Sequence, residues 1–374
     1  MKPIKVMSIF GTRPEAIKMA PIILLMQQHL NQFQPITVVT AQHREMLDQV
    51  LEVFHINPDY DLNIMKQGQT LSDITTRVIT ELDPIIEKAN PDIILVHGDT
   101  TTTFAASISA FYHQIKVGHV EAGLRTWNKL SPYPEEINRQ LTDVLADLYF
   151  APTQLSRNNL LKENHPDKNI YVTGNTAIDA LKQTVTADYQ HSVFDELNQN
   201  SKMILLTMHR RENQGDPMRR TFEAIKEVLA SHPDVEVVYP VHLSPAVQKV
   251  AHEVFDGVKA VHLIEPLDVL DFHNMSARSF FIMTDSGGVQ EEAPSLKKPV
   301  LVLRDTTERP EGIKAGTLRL VGTDPKVIKR EMERLLDDPK EYQRMAEAKN
   351  PYGDGNASLR ILNAIQQQFN HSSI

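Results

Sequence analysis

The sequence predicts an α/β protein built from two Rossmann-like, doubly wound parallel sheets. Short apolar runs alternate with amphipathic stretches along the whole chain, a pattern typical of strand–helix repeats in parallel sheets. About a dozen such runs occur, which is more than one open sheet usually holds. The length of 374 residues also exceeds what a single core usually supports. We therefore expect two domains that face each other across a cleft.

Apolar and β-branched residues dominate the predicted strands, and apolar residues at helical spacing mark the segments between them. The predicted strands are 4–10, 36–40, 93–96, 117–120, 148–151, 170–173, 203–208, 236–241, 260–264, 280–284, 300–303 and 318–321. The predicted helices include 14–30, 43–54, 71–88, 102–113, 135–146, 217–231, 325–336 and a last helix at 357–369. We expect the domain boundary between Gly174-Asn175 and the polar stretch 186–201, and a loop at 350–356.

Composition and charge exclude several classes of protein. The formal net charge is −9, which argues against a nucleic-acid or anionic-membrane surface. The chain has no cysteine, so disulfides, thiolate catalysis and thiolate metal sites are excluded. The first ten residues are too few and too charged for a signal peptide, and no apolar stretch reaches the length of a transmembrane helix. These features predict a cytoplasmic protein.

Polar residues follow several predicted strands directly. They are Gly11-Thr12-Arg13, Gly98-Asp99, Glu121, His209 and Ser286. The carboxyl ends of parallel strands form the edge at which open α/β sheets bind ligands. We therefore expect these residues to line the cleft.

The segment Thr284-Asp285-Ser286-Gly287-Gly288-Val289-Gln290-Glu291-Glu292 predicts a nucleotide site. Ser-Gly-Gly at a strand-to-helix turn leaves backbone N–H groups accessible to a phosphate at the positive end of a helix dipole. Glu292, in the following helix, can accept the two hydroxyls of a ribose. The competing interpretation is an ordinary glycine-rich turn.

The segment Gly11-Thr12-Arg13-Pro14-Glu15-Ala16-Ile17-Lys18 places two cations at the start of a helix, with Pro14 at the first helical position. Cations there oppose the helix dipole, so an anion is expected to compensate them. A bound diphosphate would do so. For Lys18 the alternative is a solvated side chain at a helix end.

Three carboxylates, Asp99, Glu121 and Glu135, are candidate acid and base groups. If they converge, their mutual repulsion can raise one pKa toward neutrality. The alternative for Asp99 is a helix N-cap near Thr101. The alternative for Glu135 and Arg139 is a surface ion pair at i, i+4 spacing.

Further candidates follow later strands. His209 is followed by Arg210 and Arg211, which suggests a nearby anion, although a lone histidine is more often structural. Arg309, in a polar loop, can close onto phosphate. Phe272 fits the core better than a base-stacking role. The histidines lack metal-ligand spacing, so the sequence predicts no metal site. No dinucleotide-binding or Walker motif follows the first strand, which argues against nicotinamide and ATP chemistry.

Together these motifs resemble the bacterial non-hydrolysing UDP-N-acetylglucosamine 2-epimerases. The motifs are GTRPEAIKMAP at 11–21, HGDTTTT at 97–103, VEAGLRT at 120–126, PYPEEINRQ at 132–140, HRREN at 209–213, TDSGGVQEEAPSL at 284–296 and RDTTERPEG at 304–312. The resemblance runs nearly end to end.

The resemblance implies a fold similar to the GT-B glycosyltransferases. The first domain would comprise 1–174 and the returning helix 357–374, and the UDP-binding domain 175–356. It also implies a homodimer that interconverts UDP-GlcNAc and UDP-ManNAc for cell-envelope polysaccharide or teichoic-acid synthesis. The route is elimination and re-addition of UDP through a glycal, which needs no redox cofactor. The family's catalytic positions correspond to Asp99, Glu121, Glu135 and His209. We favour Glu121 as the base, although sequence does not separate base from acid.

The family's substrate contacts correspond to Arg13, Lys18, Arg139, Phe272, Ser286, Gly287, Gly288, Glu292 and Arg309. Some members also carry a regulatory UDP-GlcNAc site, and it corresponds to Gln42, His43, Gln69, Arg210 and His242. Those members have arginine where this chain has Gly68, so one anion contact is missing and regulation stays open.

Three rival functions share parts of this site. A retaining glycosyltransferase would share the UDP site but needs an acceptor site, for which the sequence shows no separate motif. A hydrolysing epimerase would release ManNAc and UDP. A nucleotide-sugar sensor would bind without turnover, and the complete set of carboxylates argues against it.

Overall fold

The computed structural model describes residues 2–41, 44–66 and 68–370. The chain divides into two compact units. Unit 1 comprises Met1–Lys182 and Gly353–Ile374, and unit 2 comprises Gln183–Tyr352. The domains predicted from sequence, 1–174 with 357–374 and 175–356, differ from these units by the segments 175–182 and 353–356.

In the described part of unit 1, seven strands form one parallel sheet in the order β3-β2-β1-β4-β5-β6-β7. The strands are β1 (Ile4–Phe10), β2 (Phe33–Val39), β3 (Tyr60–Asp61), β4 (Ile93–His97), β5 (Lys116–Val120), β6 (Leu148–Ala151) and β7 (Ile170–Val172). The helices are α1 (Arg13–Gln27), α2 (Arg44–Val53), α3 (Leu71–Ala89), α4 (Thr101–Tyr112), α5 (Glu135–Leu145), α6 (Gln154–Lys162) and α7 (Thr176–Thr184).

The last helix of the chain belongs to this unit. Helix α16 (Ala357–Asn370) packs against α1. Asp179 of α7 accepts hydrogen bonds from the backbone N–H groups of Ala357 and Ser358, at 3.1 and 2.8 Å. Lys182 donates to the carbonyl of Gly355 at 2.5 Å. These bonds join residues 176–182 to the returning chain.

In unit 2, all of which the structure describes, six strands form a second parallel sheet in the order β10-β9-β8-β11-β12-β13. The strands are β8 (Lys202–Thr207), β9 (Val235–Pro240), β10 (Val261–Ile264), β11 (Phe281–Thr284), β12 (Val300–Val302) and β13 (Leu318–Leu320). The helices are α8 (Val193–Glu196), α9 (Asp216–Ser231), α10 (Pro245–Phe255), α11 (Val269–Arg278), α12 (Gly287–Glu292), α13 (Pro310–Ala315), α14 (Pro325–Asp337) and α15 (Pro339–Ala346).

Both faces of the second sheet are covered. Ile204 and Leu206 of β8 lie in one apolar cluster, and Met203 and Leu205 lie in another. Successive strand residues point to opposite faces, so continuous apolar runs are what a sheet covered on both sides requires.

In each unit the chain adds strands on both sides of the first strand of the sheet, which is β1 in unit 1 and β8 in unit 2. This is the doubly wound order. The predicted fold class is therefore confirmed, and the predicted strands agree with the structure to within a few residues, except that Tyr60–Asp61 was not predicted. None of the described helices is both long and apolar enough to span a bilayer.

Candidate active site

The carboxyl edge of the unit 1 sheet carries two of the candidate acids. Asp99 follows β4, and Glu121 follows the neighbouring strand β5. The turns after these strands have left-handed backbone, with φ of 67° at Gly98 and 68° at Glu121. Such a conformation is uncommon for a residue with a side chain, and it is found where surrounding contacts enforce it. The two strand ends are joined by a hydrogen bond of 2.9 Å from Gly98 N–H to the Val120 carbonyl.

The Glu121 carboxylate is surrounded by polar groups. Lys18 of α1 forms an ion pair with Oε1, and Asn175 donates to the same oxygen at 3.1 Å. The ring nitrogen Nε2 of His97 lies 3.7 Å from Oε2. Burial, together with the charges of Lys18 and His119, lowers the pKa of His97 to about 3, against the attraction of Glu121. His97 is therefore a neutral neighbour of Glu121, and sequence reasoning did not select it.

Glu15 occupies the start of α1 that the sequence analysis assigned to a diphosphate. Its buried carboxylate accepts hydrogen bonds from the N–H groups of Gly11 and Thr12, at 2.9 and 2.8 Å. It also accepts from the hydroxyls of Thr100 and Thr103, at 2.6 and 3.1 Å. An internal carboxylate thus accepts from the N–H groups at the start of this helix. The capping-box pattern Thr12-x-x-Glu15 was the signal in the sequence.

Asp99 is joined to helix α5. Arg139 Nη2 lies 3.0 Å from Asp99 Oδ2, and Asn138 Nδ2 donates to the Asp99 carbonyl at 3.0 Å. Burial raises the pKa of Asp99 to about 6; the carboxylates of Glu121 and Glu135 add to this rise, and Arg139 opposes it. A carboxyl group with this pKa exchanges its proton near neutral pH, as a general acid or base must.

Two competing interpretations are wrong. The N-cap of α4 is Thr100, whose hydroxyl accepts from Thr103 N–H at 3.2 Å, and not Asp99. Arg139 Nε donates to the backbone carbonyl of Glu135 at 3.4 Å and does not pair with the Glu135 carboxylate. The ion pairs of Arg139 are with Asp99 and Glu136. Arg139 therefore connects the helix to the strand end.

In unit 2, the Ser-Gly-Gly turn lies next to Arg309. Ser286 is the N-cap of α12, and a Cβ added to Gly287 would lie 3.7 Å from Arg309 Nη2. Arg309 also forms an ion pair with the buried carboxylate of Glu291. The turn predicted to bind phosphate thus has a guanidinium group beside it.

The two remaining substrate candidates of unit 2 lie on α11 and α12. Glu292 Oε2 is 3.5 Å from Nε2 of the buried His273. Phe272 is partly buried and packs against the apolar cluster that includes Leu205 and Ile282, as the core interpretation predicts.

His209 is held by a buried carboxylate, Asp285, which follows β11. Asp285 Oδ2 accepts from the backbone N–H groups of His209 and Arg210, at 3.0 and 2.9 Å, and from Asn213 Nδ2 at 3.0 Å. Asp285 Oδ1, 3.6 Å from His209 Nδ1, has no hydrogen bond. Burial lowers the pKa of His209, against the attraction of Asp285. Asp285 belongs to the predicted nucleotide-binding segment, but no sequence pattern indicated that it holds His209.

The candidate regulatory residues are divided between the two units. Gln42 and His43 lie outside the described residues. Gln69 accepts from Lys66 N–H at 3.2 Å in unit 1. In unit 2, the rings of His242 and His209 are stacked with centroids 5.3 Å apart, and Arg210 Nη1 lies 3.5 Å from Glu212.

Known proteins resemble this chain over nearly its whole length. A family model described as UDP-N-acetylglucosamine 2-epimerase matches residues 26–366. The UDP-N-acetylglucosamine 2-epimerase of Bacillus subtilis is 61% identical over 365 residues, which cover 98% of this chain and 96% of the relative.

Solved structures agree. A relative from Listeria monocytogenes has a TM-score of 0.95 and 56% identity, covering 99% of this chain and 97% of the other. The UDP-GlcNAc 2-epimerase of Neisseria meningitidis, solved with UDP-GlcNAc bound, has a TM-score of 0.87 and 51% identity. The match covers 97% of this chain and 100% of the other. The resemblance inferred from the motifs is confirmed, and the chain belongs to the UDP-N-acetylglucosamine 2-epimerase family of isomerases.

Proposed function

We propose that this enzyme interconverts UDP-GlcNAc and UDP-ManNAc by inverting carbon 2 of the sugar. The observation that carries the proposal is the pair of carboxylates, Asp99 and Glu121, at one sheet edge, each joined to a cation and one with a pKa near neutrality. Inversion at a carbon that bears hydrogen requires a proton to leave one face and return on the other. Relatives of named activity support the substrate.

The reaction proceeds by elimination and re-addition. A base removes the proton from carbon 2 while the bond from carbon 1 to the UDP oxygen breaks, which gives a glycal and UDP. An acid then protonates carbon 2 on the opposite face, and the UDP oxygen re-forms its bond to carbon 1. The atoms balance without a redox cofactor.

The environments of the carboxylates support different roles for them. Glu121 acts as the base, because its ion pair with Lys18 stabilises the ionised carboxylate. Asp99 acts as the acid, because its raised pKa keeps part of it protonated near neutral pH. Glu135, which adjoins Arg139, and His209, which is held by Asp285, complete the proposed catalytic set.

Cations and exposed backbone bind the UDP part of the substrate. In unit 2, Ser286, Gly287 and Gly288 bind the diphosphate together with Arg309, whose guanidinium lies beside the turn. Glu292 binds the ribose and Phe272 contacts the base. In unit 1, Arg13, Lys18 and Arg139 bind the diphosphate and sugar. Stabilising the departing diphosphate is the largest electrostatic demand of the elimination.

The enzyme is further proposed to act as a homodimer through helix α5. This helix buries polar residues, among them Asn138, Arg139 and Asp143, and exposes Ile137, Leu141 and Val144 on its other face. Helix α4, which packs against α5, also exposes two aromatic side chains, Phe111 and Tyr112. An apolar face that a single chain leaves exposed is typical of an interface between subunits.

Two finer roles are also proposed. The product supplies cell-envelope polysaccharide or teichoic-acid synthesis, as the family resemblance implies. A second, regulatory site for UDP-GlcNAc would comprise Gln42, His43, Gln69, Arg210 and His242, as the resemblance to some family members implies. Gly68 brings no side chain to that site, so regulation by it stays open.

Proton NMR in deuterated water tests the reaction. The protein is incubated with UDP-GlcNAc and no added cofactor. We expect UDP-ManNAc with deuterium at carbon 2. Free ManNAc and UDP would identify a hydrolysing epimerase instead, and an unchanged spectrum with saturable binding of UDP-GlcNAc would identify a glycosyltransferase or a sensor.

A further inference from the structure

A fully buried histidine, His119, joins three segments of unit 1. It lies on β5, two residues before Glu121. Its Nε2 lies 2.7 Å from the carbonyl oxygen of Gly98, and its Nδ1 lies 2.6 Å from Asp143 Oδ1 on α5. His119 and Asp143 are both inaccessible to solvent. The imidazole thus connects the ends of β4 and β5 with helix α5.

The hydrogen-bond partners fix the protonation state of the ring. A backbone carbonyl can only accept, so Nε2 must carry a hydrogen. The second oxygen of Asp143 accepts from Arg125 Nη2 at 2.6 Å and from Gly123 N–H at 3.3 Å. Burial raises the pKa of Asp143, but the charges and hydrogen bonds of His119 and Arg125 outweigh it, so this pKa is lowered. Asp143 is therefore ionised, and Nδ1 must donate to it as well.

The charges around the ring are balanced. Arg125 also bonds to Glu163 at the end of α6, at 2.8 Å from Nε and 2.5 Å from Nη2. The imidazolium and the guanidinium thus face the carboxylates of Asp143 and Glu163. A buried charge persists only when it is paired in this way.

The network reaches both proposed catalytic carboxylates. Gly98 immediately precedes Asp99, and its carbonyl is the acceptor of His119. Asp143 lies one helical turn after Arg139, which forms an ion pair with Asp99. Any shift of the ring would therefore move the backbone of Asp99 relative to Glu121.

We propose that His119 is a positioning residue for the epimerisation: as an imidazolium donating from both nitrogens, it fixes the end of β4 against α5 and so sets Asp99 relative to Glu121. This inference rests on the proposed function. It assigns His119 no contact with substrate.

Two amide substitutions separate the two hydrogen bonds. In His119→Gln the amide nitrogen reaches the position of Nε2 and keeps the bond to Gly98. In His119→Asn it reaches only the position of Nδ1, so the bond to Gly98 is lost. We expect kcat to fall about 100-fold in His119→Asn and less than about tenfold in His119→Gln, with KM within about threefold of the original in both. A kcat of His119→Asn within about threefold of the original enzyme would overturn the proposal.

A matched control is available in unit 2, where His262 Nε2 bonds to the buried Glu236 at 2.7 Å. His262→Asn, whose amide does not reach the position of Nε2, removes this histidine–carboxylate bond, and we expect a lower Tm without a change in kcat. If His119→Asn does not fold, Asp143→Asn replaces it, because its amide keeps an oxygen acceptor for the ring. A fall in kcat of about three- to tenfold, comparable with that of His119→Gln, is expected there, and an unchanged kcat would contradict the proposal.

The charge of the His119 ring can be measured separately from activity. In protein labelled with ¹⁵N-histidine, the NMR signals of His119 should show hydrogen on both ring nitrogens, with His119→Gln identifying the signals. A neutral ring would refute the imidazolium even if the enzyme epimerises. A doubly protonated ring in an inactive enzyme would instead count against the proposed function alone.

Discussion

The ammonium group of Lys18 on α1 forms an ion pair with the carboxylate of Glu121 at the end of β5. Sequence reasoning assigned the lysine to phosphate and the glutamate to proton transfer, and the structure brings the two into contact. An adjacent ammonium favours the ionised form of a carboxylate, and the pair restricts the orientation of Glu121 because both side chains are largely buried. It also places a cation against the carboxylate that we propose removes the proton from carbon 2.

Glu121→Gln should reduce kcat by about 10²–10⁴-fold, because the amide cannot accept a proton. UDP binding, measured by calorimetry, should change little. Glu81→Gln, which removes an exposed carboxylate from the same unit, serves as the control and should retain full activity. Comparable kcat values for Glu121→Gln and Glu81→Gln would rule out Glu121 as the base.

The pKa of Asp99, raised to about 6, predicts a limb in the pH–rate profile. As a general acid, Asp99 must be protonated, so kcat/KM should decrease as the pH rises through about 6. The limb should disappear in Asp99→Asn, in which residual activity should be flat across this range. A limb that persists in Asp99→Asn would assign it to another group.

The raised pKa of Asp99 also predicts that the stability of the fold depends on pH. Because the folded-state pKa lies above the ordinary value of about 3.9, the folded protein holds this proton more tightly than the unfolded chain. The contribution of Asp99 to stability therefore falls as the pH rises from about 4 to about 6. At pH 7.5, Asp99→Asn should raise the free energy of unfolding by about 1–2 kcal/mol, as measured by urea denaturation. An unchanged or lower value would show that burial does not disfavour the ionised form.

Glu15→Ala should destabilise unit 1, because two backbone N–H groups and two threonine hydroxyls lose their buried acceptor. We expect a loss of about 2–4 kcal/mol in urea denaturation. Asp73→Ala removes an equivalent but exposed capping carboxylate from α3, and its loss should be smaller. Equal losses would mean that burial of Glu15 adds nothing to the cap.

Asp285→Ala should lower both activity and stability. The N–H groups of His209 and Arg210 and the amide of Asn213 would lose a common acceptor, so His209 would no longer be held in place. We expect about 2–3 kcal/mol less stability and a kcat at least tenfold lower. Glu236→Ala, which removes another buried carboxylate of unit 2, should lower stability without this loss of kcat. Full activity in Asp285→Ala would separate Asp285 from catalysis.

Leu141→Asp and Val144→Asp should convert the proposed dimer to monomers. Both side chains lie on the exposed apolar face of α5, so a charge there disfavours contact without disturbing the buried polar face. Sedimentation equilibrium measures the change. Leu359→Asp, on the exposed side of α16, is the control and should leave the assembly intact. A monomeric unaltered protein would refute the dimer itself.

The sequence predicts this fold well because its strands are buried on both faces. Continuous apolar runs such as Ile93–His97 are recognisable without knowledge of their neighbours. The edge strand Tyr60–Asp61 has only two residues and no apolar alternation, so no pattern marks it. Candidate site residues could be predicted because they directly follow those apolar runs.

The partners of the site residues could not be predicted in the same way. His97 is the last residue of β4, directly after an apolar run, and acquires a role only because β5 brings Glu121 beside it. Lys18 and Glu121 are 103 residues apart in the sequence, so no local spacing pattern could reveal their ion pair. Glu15 is the exception, since its capping pattern is local.

The return of α16 to unit 1 has a consequence for synthesis of the chain. The ribosome makes residues 2–182 before unit 2, but α16, with Ile361 and Ile365 buried, becomes available only after Tyr352. During translation the inserted unit can finish folding while the unit that began first still exposes the surface of α1 that α16 covers. The surface of α1 that α16 covers is therefore protected only after the chain beyond Tyr352 has been made.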